Sequence, residues 1–131
     1  MTNQPVKILL VDDDENDVLL TKAMLKDAKV IVDLAVAENG REGMAYLRKE
    51  GPHAESATPD LILLDLNMPV MDGREMLRIV KSDEKLKVIP VVIFTTSAAD
   101  EEILKSYHLG ANCYISKPVG LEALSKVVRH I

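Results

Sequence analysis

The feature that most restricts the fold is a set of short apolar runs without polar alternation, each cut off by carboxylates or hydroxyls. Lys7–Val11 (KILLV) runs straight into Asp12-Asp13-Asp14, Asp60–Leu64 into Asp65, and Val91–Phe94 into Thr95. A strand with one wet face alternates apolar and polar residues. A strand apolar throughout is covered on both faces, and such strands belong to parallel sheets under helices. Ile31–Val36, ended by Glu38-Asn39-Gly40, and Tyr114–Ile115 supply two further strands.

The intervening segments read as helices. From Glu15 to Ala28, Val18/Leu19, Lys22/Ala23 and Lys26 separate into an apolar and a charged face. Arg41–Lys49 places Met44 and Leu47 inward and Arg48 and Lys49 at the C-terminus, where the helix dipole favours cations. A helix ending near Ser82 turns Met76, Leu77 and Val80 inward, and Ala98–Leu109 stops at Gly110. Leu121–Ile131 closes the chain, and Gly51–Pro59 is the one loose stretch, too short for a domain linker. The pattern predicts a single α/β domain over residues 1–131: a doubly wound, five-stranded parallel sheet in the order 2-1-3-4-5.

Composition removes several function classes. The chain has 131 residues, 47% of them hydrophobic, which supports a real core. Sixteen Lys and Arg against 21 Asp and Glu give a net charge of −5, which disfavours nucleic acid or an anionic membrane surface as the main partner. Cys113 is the single cysteine, so an internal disulfide is excluded. The first residues lack the pattern of a targeting signal, and no apolar run approaches the roughly 20 residues of a membrane span. A soluble, cytoplasmic product is expected.

In sheets of this kind ligands bind beyond the carboxyl ends of the strands. Asp12 and Asp13 follow the first strand, Asp65 the third, Thr95 ends the fourth, and Lys117 lies just past the fifth. Three carboxylates on one rim repel one another and call for a cation. Mg²⁺ suits them, since it takes oxygen ligands and is commonly held by one or two carboxylates plus phosphate. Lys117 and Thr95 add a positive charge and a hydroxyl for an anion, and a carboxylate in that setting can attack phosphorus to form an aspartyl phosphate. Each residue also has an ordinary role. An Asp after a strand caps the next helix, Lys117 faces solvent, and Thr95 is a satisfied strand-end hydroxyl.

KILLVDDDEND, LILLDLNMPVMDG, PVVIFTTS and GANCYISKP together resemble the response-regulator receiver domains of two-component signalling, over essentially the whole chain. The resemblance implies a flavodoxin-like receiver fold with Asp65 as phosphoacceptor, supplied by a phosphohistidine on a sensor histidine kinase. It implies Mg²⁺ ligation by Asp13, Asp65 and the backbone carbonyl of Asn67, with Asp12 acting mainly through an intervening water. Thr95 and Lys117 contact the phosphoryl oxygens, Thr95 and Tyr114 form a switch, and Lys117-Pro118 matches a cis peptide that aims the lysine. Gly73 permits a close approach or unusual dihedral in the site loop.

The DLNMPVMDGRE wording, the Thr95-Thr96-Ser97 run, the longer loop at 51–59 and ANCYISKPV are more specifically similar to the small single-domain regulators of cyanobacterial and bacterial phytochromes. That group implies a phytochrome kinase as partner, and a homodimer through the fourth helix, fifth strand and fifth helix. Tyr107 and Val127 are the candidate interface residues; ordinary surface apolarity explains them equally well. Asp14 and Ser97 differ from the best-known chemotaxis member, so neither its phosphoryl lifetime nor its motor-binding surface transfers. A DNA-binding output within this chain is not expected.

Two other functions compete with the phosphorelay receiver. One is an adaptor that binds its partners without phosphorylation, which would need none of the acidic cluster, Thr95 or Lys117. The other is a small Mg²⁺-dependent phosphatase or flavodoxin-like binder, for which a glycine-rich phosphate loop and a substrate cap are lacking. A turnover enzyme is not expected, because the reacting residue is the protein's own.

Overall fold

The computed structural model describes residues 5–27, 31–65, 71, 73–95 and 113–116, with backbone alone for Asp27, Phe94, Thr95 and 113–116. Five strands, β1 (Val6–Val11), β2 (Val32–Ala37), β3 (Leu61–Asp65), β4 (Val91–Thr95) and β5 (Cys113–Ser116), pair in parallel in the order β2-β1-β3-β4-β5. Three helices are described: α1 (Glu15–Asp27), α2 (Gly40–Leu47) and α3 (Gly73–Ser82). The expected fold class and strand order are both observed. The segments read as helices at 98–109 and 121–131 lie outside the described residues.

The apolar runs are continuous because their alternate residues enter two different cores. Leu9, Val11, Ile62, Leu64, Val91 and Ile93 pack with Met44, Leu47, Met76, Leu77 and Val80 of α2 and α3. Ile8, Leu10, Leu61, Leu63 and Val92 pack on the opposite face with Leu25 of α1. Each fully buried aliphatic side chain contributes roughly 1.5–3 kcal/mol of transfer free energy. Both faces are apolar, so a one-residue slip is opposed by the fit of each side chain into its own core rather than by exposure to water.

The face of α1 differs from the sequence expectation. Val18, Thr21, Met24 and Leu25 turn inward, while Leu19 stays 64% exposed. At about 100° per residue, a stripe centred on 18, 21 and 25 leaves position 19 roughly 125° from its centre, on the solvent side. Thr21 is tolerated in the interior because its Oγ1 donates to the Asp17 carbonyl at 2.8 Å.

Capping sets the helix boundaries. Asp14 precedes α1, and its carboxylate accepts from the Asn16 N–H at 2.8 Å; Asn39 caps α2 by accepting from the Glu42 N–H at 2.8 Å. α2 ends at Leu47, two residues short of Lys49. Glu50 N–H donates back to the Ala45 carbonyl and Lys49 N–H to that of Tyr46, the paired bonds of a Schellman ending. This ending puts Lys49 at a φ of 56°.

The 51–59 stretch is better anchored than its composition suggests. It opens with a 3₁₀ turn, Gly51–His53, and Ser56 Oγ donates to the Tyr46 carbonyl at 3.0 Å. The His53 ring meets Tyr46 edge-on at 5.5 Å.

Candidate functional site

The carboxyl edge of the sheet is where the acidic residues meet. Val11 and Leu64 are register partners across β1 and β3, so the next residues, Asp12 and Asp65, stand side by side. Both are nearly buried, at 2% and 5% exposure, whereas Asp13 faces solvent. Two backbone bonds fix Asp12. Its N–H donates to the Ala37 carbonyl at 3.0 Å, and its Oδ1 accepts from the Asp14 N–H at 3.0 Å. The second bond is an Asx turn that swings the chain from β1 into α1. Asp14, by contrast, is spent as the helix cap described above.

One carboxylate oxygen from each of Asp12, Asp13 and Asp65 lies within 4.8 Å of the others. Even at a water-like dielectric, two unit charges at that spacing repel by roughly 0.9 kcal/mol, and more where burial lowers the screening. A divalent cation removes that repulsion. The donor set fits one: oxygens only, two held on a rigid sheet edge and one exposed, so that the ion keeps water ligands as Mg²⁺ prefers. Beside the cluster lies a groove of about 470 Å³ between α1 and β2, with Val18, Leu19, Lys22 and Val36 along it.

The remaining expected site residues fall into two groups. Thr95 ends β4 opposite Ser116 of β5, one position beyond Phe94, the register partner of Asp65; its backbone is therefore on the same edge. Tyr114 is in β5 opposite Ile93. Gly73 is buried at the start of α3. Asn67, Tyr107, Lys117, Pro118 and Val127 lie outside the described residues.

The chain matches the family model described as the response regulator receiver domain, over residues 8–129. It belongs to the receiver-domain family. This receiver domain is 42% identical to the response regulator Rcp1 of Synechocystis sp. over 99% of its own length and 88% of that protein's. The crystal structure of the manganese-bound form of Rcp1 superposes with a TM-score of 0.81, covering 97% of this chain and 91% of that one at 42% identity. The structure of the phosphorylated cyanobacterial phytochrome response regulator RcpA superposes with a TM-score of 0.83, at 45% identity and with the same coverage. Receiver domains are signalling proteins that take a divalent cation in the acidic pocket and work with sensor histidine kinases. The likeness to phytochrome response regulators agrees with the DLNMPVMDGRE and ANCYISKPV segments.

One contact of the receiver domain's site was not legible in the sequence. Gly40 N–H donates to the Met71 carbonyl at 3.2 Å, and Met71 stands on the connection from Asp65 to α3. Asn39-Gly40 reads simply as the end of a strand. The pairing partner is thirty-one residues away and announces nothing locally. Among the described residues, no helix is long and apolar enough to cross a membrane.

Proposed function

We propose that Asp65 accepts a phosphoryl group from a phosphohistidine of a sensor histidine kinase, and that the phosphorylated domain signals by protein contact. The carrying observation is the convergence of Asp12, Asp13 and Asp65 within 4.8 Å on the sheet edge. In the transfer, an Asp65 carboxylate oxygen attacks phosphorus and forms the acyl phosphate P–O bond. The P–N bond to the donor imidazole breaks, and its electron pair stays on the imidazole. The step is intrinsic to the domain, as is its later hydrolysis, so the protein is consumed and regenerated rather than turning over an external substrate.

Burial and fixed backbone bonds hold Asp12 and Asp65 in place, so little reorganisation is needed at the moment of transfer. Asp12, Asp13 and Asp65, with the Asn67 carbonyl, would hold Mg²⁺, which when bound neutralises charge gathering on the phosphoryl oxygens. In this reading Thr95 and Lys117 take the phosphoryl oxygens after transfer, Thr95 and Tyr114 carry the change to the far face, and Pro118 and Gly73 shape the loops. Relatives described as manganese-bound and as phosphorylated support the cation and the modification. The description of RcpA as a phytochrome response regulator supports a phytochrome-type kinase as donor, and a cytoplasmic site of action goes with that reading. Pairing of two copies through Tyr107 and Val127 completes the proposal.

Mg²⁺ titration followed by thermal unfolding tests it. A ligand that binds only the folded state stabilises it by RT ln(1 + [Mg²⁺]/Kd), about 2.7 kcal/mol at one hundred times Kd. A saturable rise in Tm is expected. A flat response into the millimolar range would overturn the reading in favour of an adaptor that works without phosphorylation.

A further inference from the structure

In parallel β–α units the helices run back against the strands, so the C-terminal ends of α2 and α3 lie at the sheet edge opposite the acidic site. Two clefts meet there, of about 370 and 400 Å³, sharing Arg48 and Asp83. Lys49 and Lys85 line the first, and Arg78 lines the second. The half-buried Ile79 provides apolar surface between the charges, while Leu86 beneath them belongs to the core.

Four cations thus face one carboxylate, in a chain whose net charge is −5. The carboxylate is already engaged: Asp83 Oδ1 accepts from the Lys85 and Leu86 N–H groups at 2.8 and 3.2 Å. The nearby ion pair, Lys87 with Glu84 at 3.0 Å, uses neither Arg nor the cleft lysines. Arg48, Lys49, Arg78 and Lys85 are exposed, and none has an acidic partner among the described residues.

Lys49 enters the first cleft from the turn that ends α2. It sits at the left-handed position of the helix ending, with φ at 56°, where glycine is the residue that carries no steric penalty. The Schellman bonds from Lys49 and Glu50 hold the backbone in this turn. Here glycine would relieve the backbone and remove a cation from the cleft.

We propose that these two clefts form a docking surface for an acidic segment of a partner protein, with its carboxylates on Arg48, Lys49, Arg78 and Lys85 and an apolar side chain against the half-buried Ile79. The mixed apolar and basic lining favours a peptide over a nucleic acid, as does the net negative charge of the whole chain. Because the surface is opposite Asp65, a bound partner leaves the acidic edge free for phosphotransfer.

The test is titration of the ¹⁵N-labelled full chain with a synthetic ten-residue peptide alternating Glu and Leu. Saturable amide shifts are expected at 47–49 and 78–86. Arg48→Glu and Lys49→Gly should each weaken binding by about fivefold or more, while Lys26→Glu, a charge reversal on α1, should leave it unchanged. Lys49→Gly should keep or raise Tm, which separates lost affinity from lost folding. The absence of saturable shifts, shifts on another face, or unaltered affinity in Arg48→Glu would overturn the proposal. Tighter binding of an RNA decamer than of the peptide to the same amides would overturn it as well.

Discussion

Gly40 is the tightest joint between the second βα unit and the acidic site, and replacing it with alanine has a calculable consequence. The new methyl carbon would lie 2.7 Å from the Met71 carbonyl oxygen, 2.8 Å from Met71 Cγ and 3.0 Å from its Cβ. A carbonyl oxygen and a Cβ cannot rotate out of the way, so either the start of α2 or the Met71 segment must move. The 3.2 Å bond from Gly40 N–H to that same carbonyl then stretches. Overpacking of this kind costs about 1–3 kcal/mol, whereas alanine's restriction of the unfolded chain offsets about 0.4–1. The expected net loss is about 1–2 kcal/mol. Gly43→Ala is the internal control. Its methyl would meet Met76 Cε at 2.9 Å and Sδ at 3.2 Å, and Val11 Cγ2 at 3.1 Å. A thioether tip can rotate, and alanine inside a helix gains about 1 kcal/mol over glycine, so the loss should be smaller. Urea unfolding with an unchanged m-value measures both variants. The reasoning is refuted if Gly40→Ala is as stable as the parent, or if Gly43→Ala is the more damaging of the two.

Neutralising Asp13 should raise the Tm of the metal-free protein, by relieving a repulsion of roughly 1 kcal/mol per carboxylate pair, and should abolish most of the Mg²⁺-dependent rise; calorimetry with and without Mg²⁺ checks both signs. Lys81 Nζ donates to the Lys87 and Ile89 carbonyls at 3.0 Å each, and burial pulls its pKa below the usual lysine value. Lys81→Met should lower stability by about 1–2 kcal/mol and speed amide exchange through the 83–89 connection that leads into β4. Tyr46 is pushed above the usual 10.0, first by burial and then by the charge of Asp33. Its folded form therefore holds a proton that the unfolded chain has released, and this contribution to stability is lost as pH rises above 10.0 and through the folded value. In an NMR titration, Asp33→Asn should bring Tyr46 only part of the way back, since burial is the larger cause; a complete return would contradict that order.

The architecture was legible because its signal is local. Runs such as Leu61–Leu64 declare burial on both faces, and a parallel sheet of βα units is what can cover both. The site was legible for a related reason: strand ends in a doubly wound sheet share an edge, and Asp12 and Asp65 are brought level by the pairing of Val11 with Leu64. What escaped depends on packing between distant segments. Leu19 belongs to the helix pattern of α1, yet nothing in that pattern says where the buried stripe is centred. Ser56 tying the 51–59 connection to Tyr46, and Gly40 meeting Met71, are contacts between a side chain or amide and a remote backbone carbonyl, which leave no periodic trace. Lys49 was expected inside a helix and instead ends it, because the Schellman bonds stabilise that turn despite its left-handed backbone.

The central claim is that Asp65 takes up phosphate with the help of its acidic neighbours. Intact-protein mass after incubation with a small-molecule phosphoryl donor, with and without Mg²⁺, tests it beside Asp65→Asn. The account predicts one added phosphoryl group in the parent, none when Mg²⁺ is withheld, and none in the variant, whose fold stays intact. Labelling of Asp65→Asn at the parent rate, or an unlabelled parent under conditions that modify a control receiver, would contradict it.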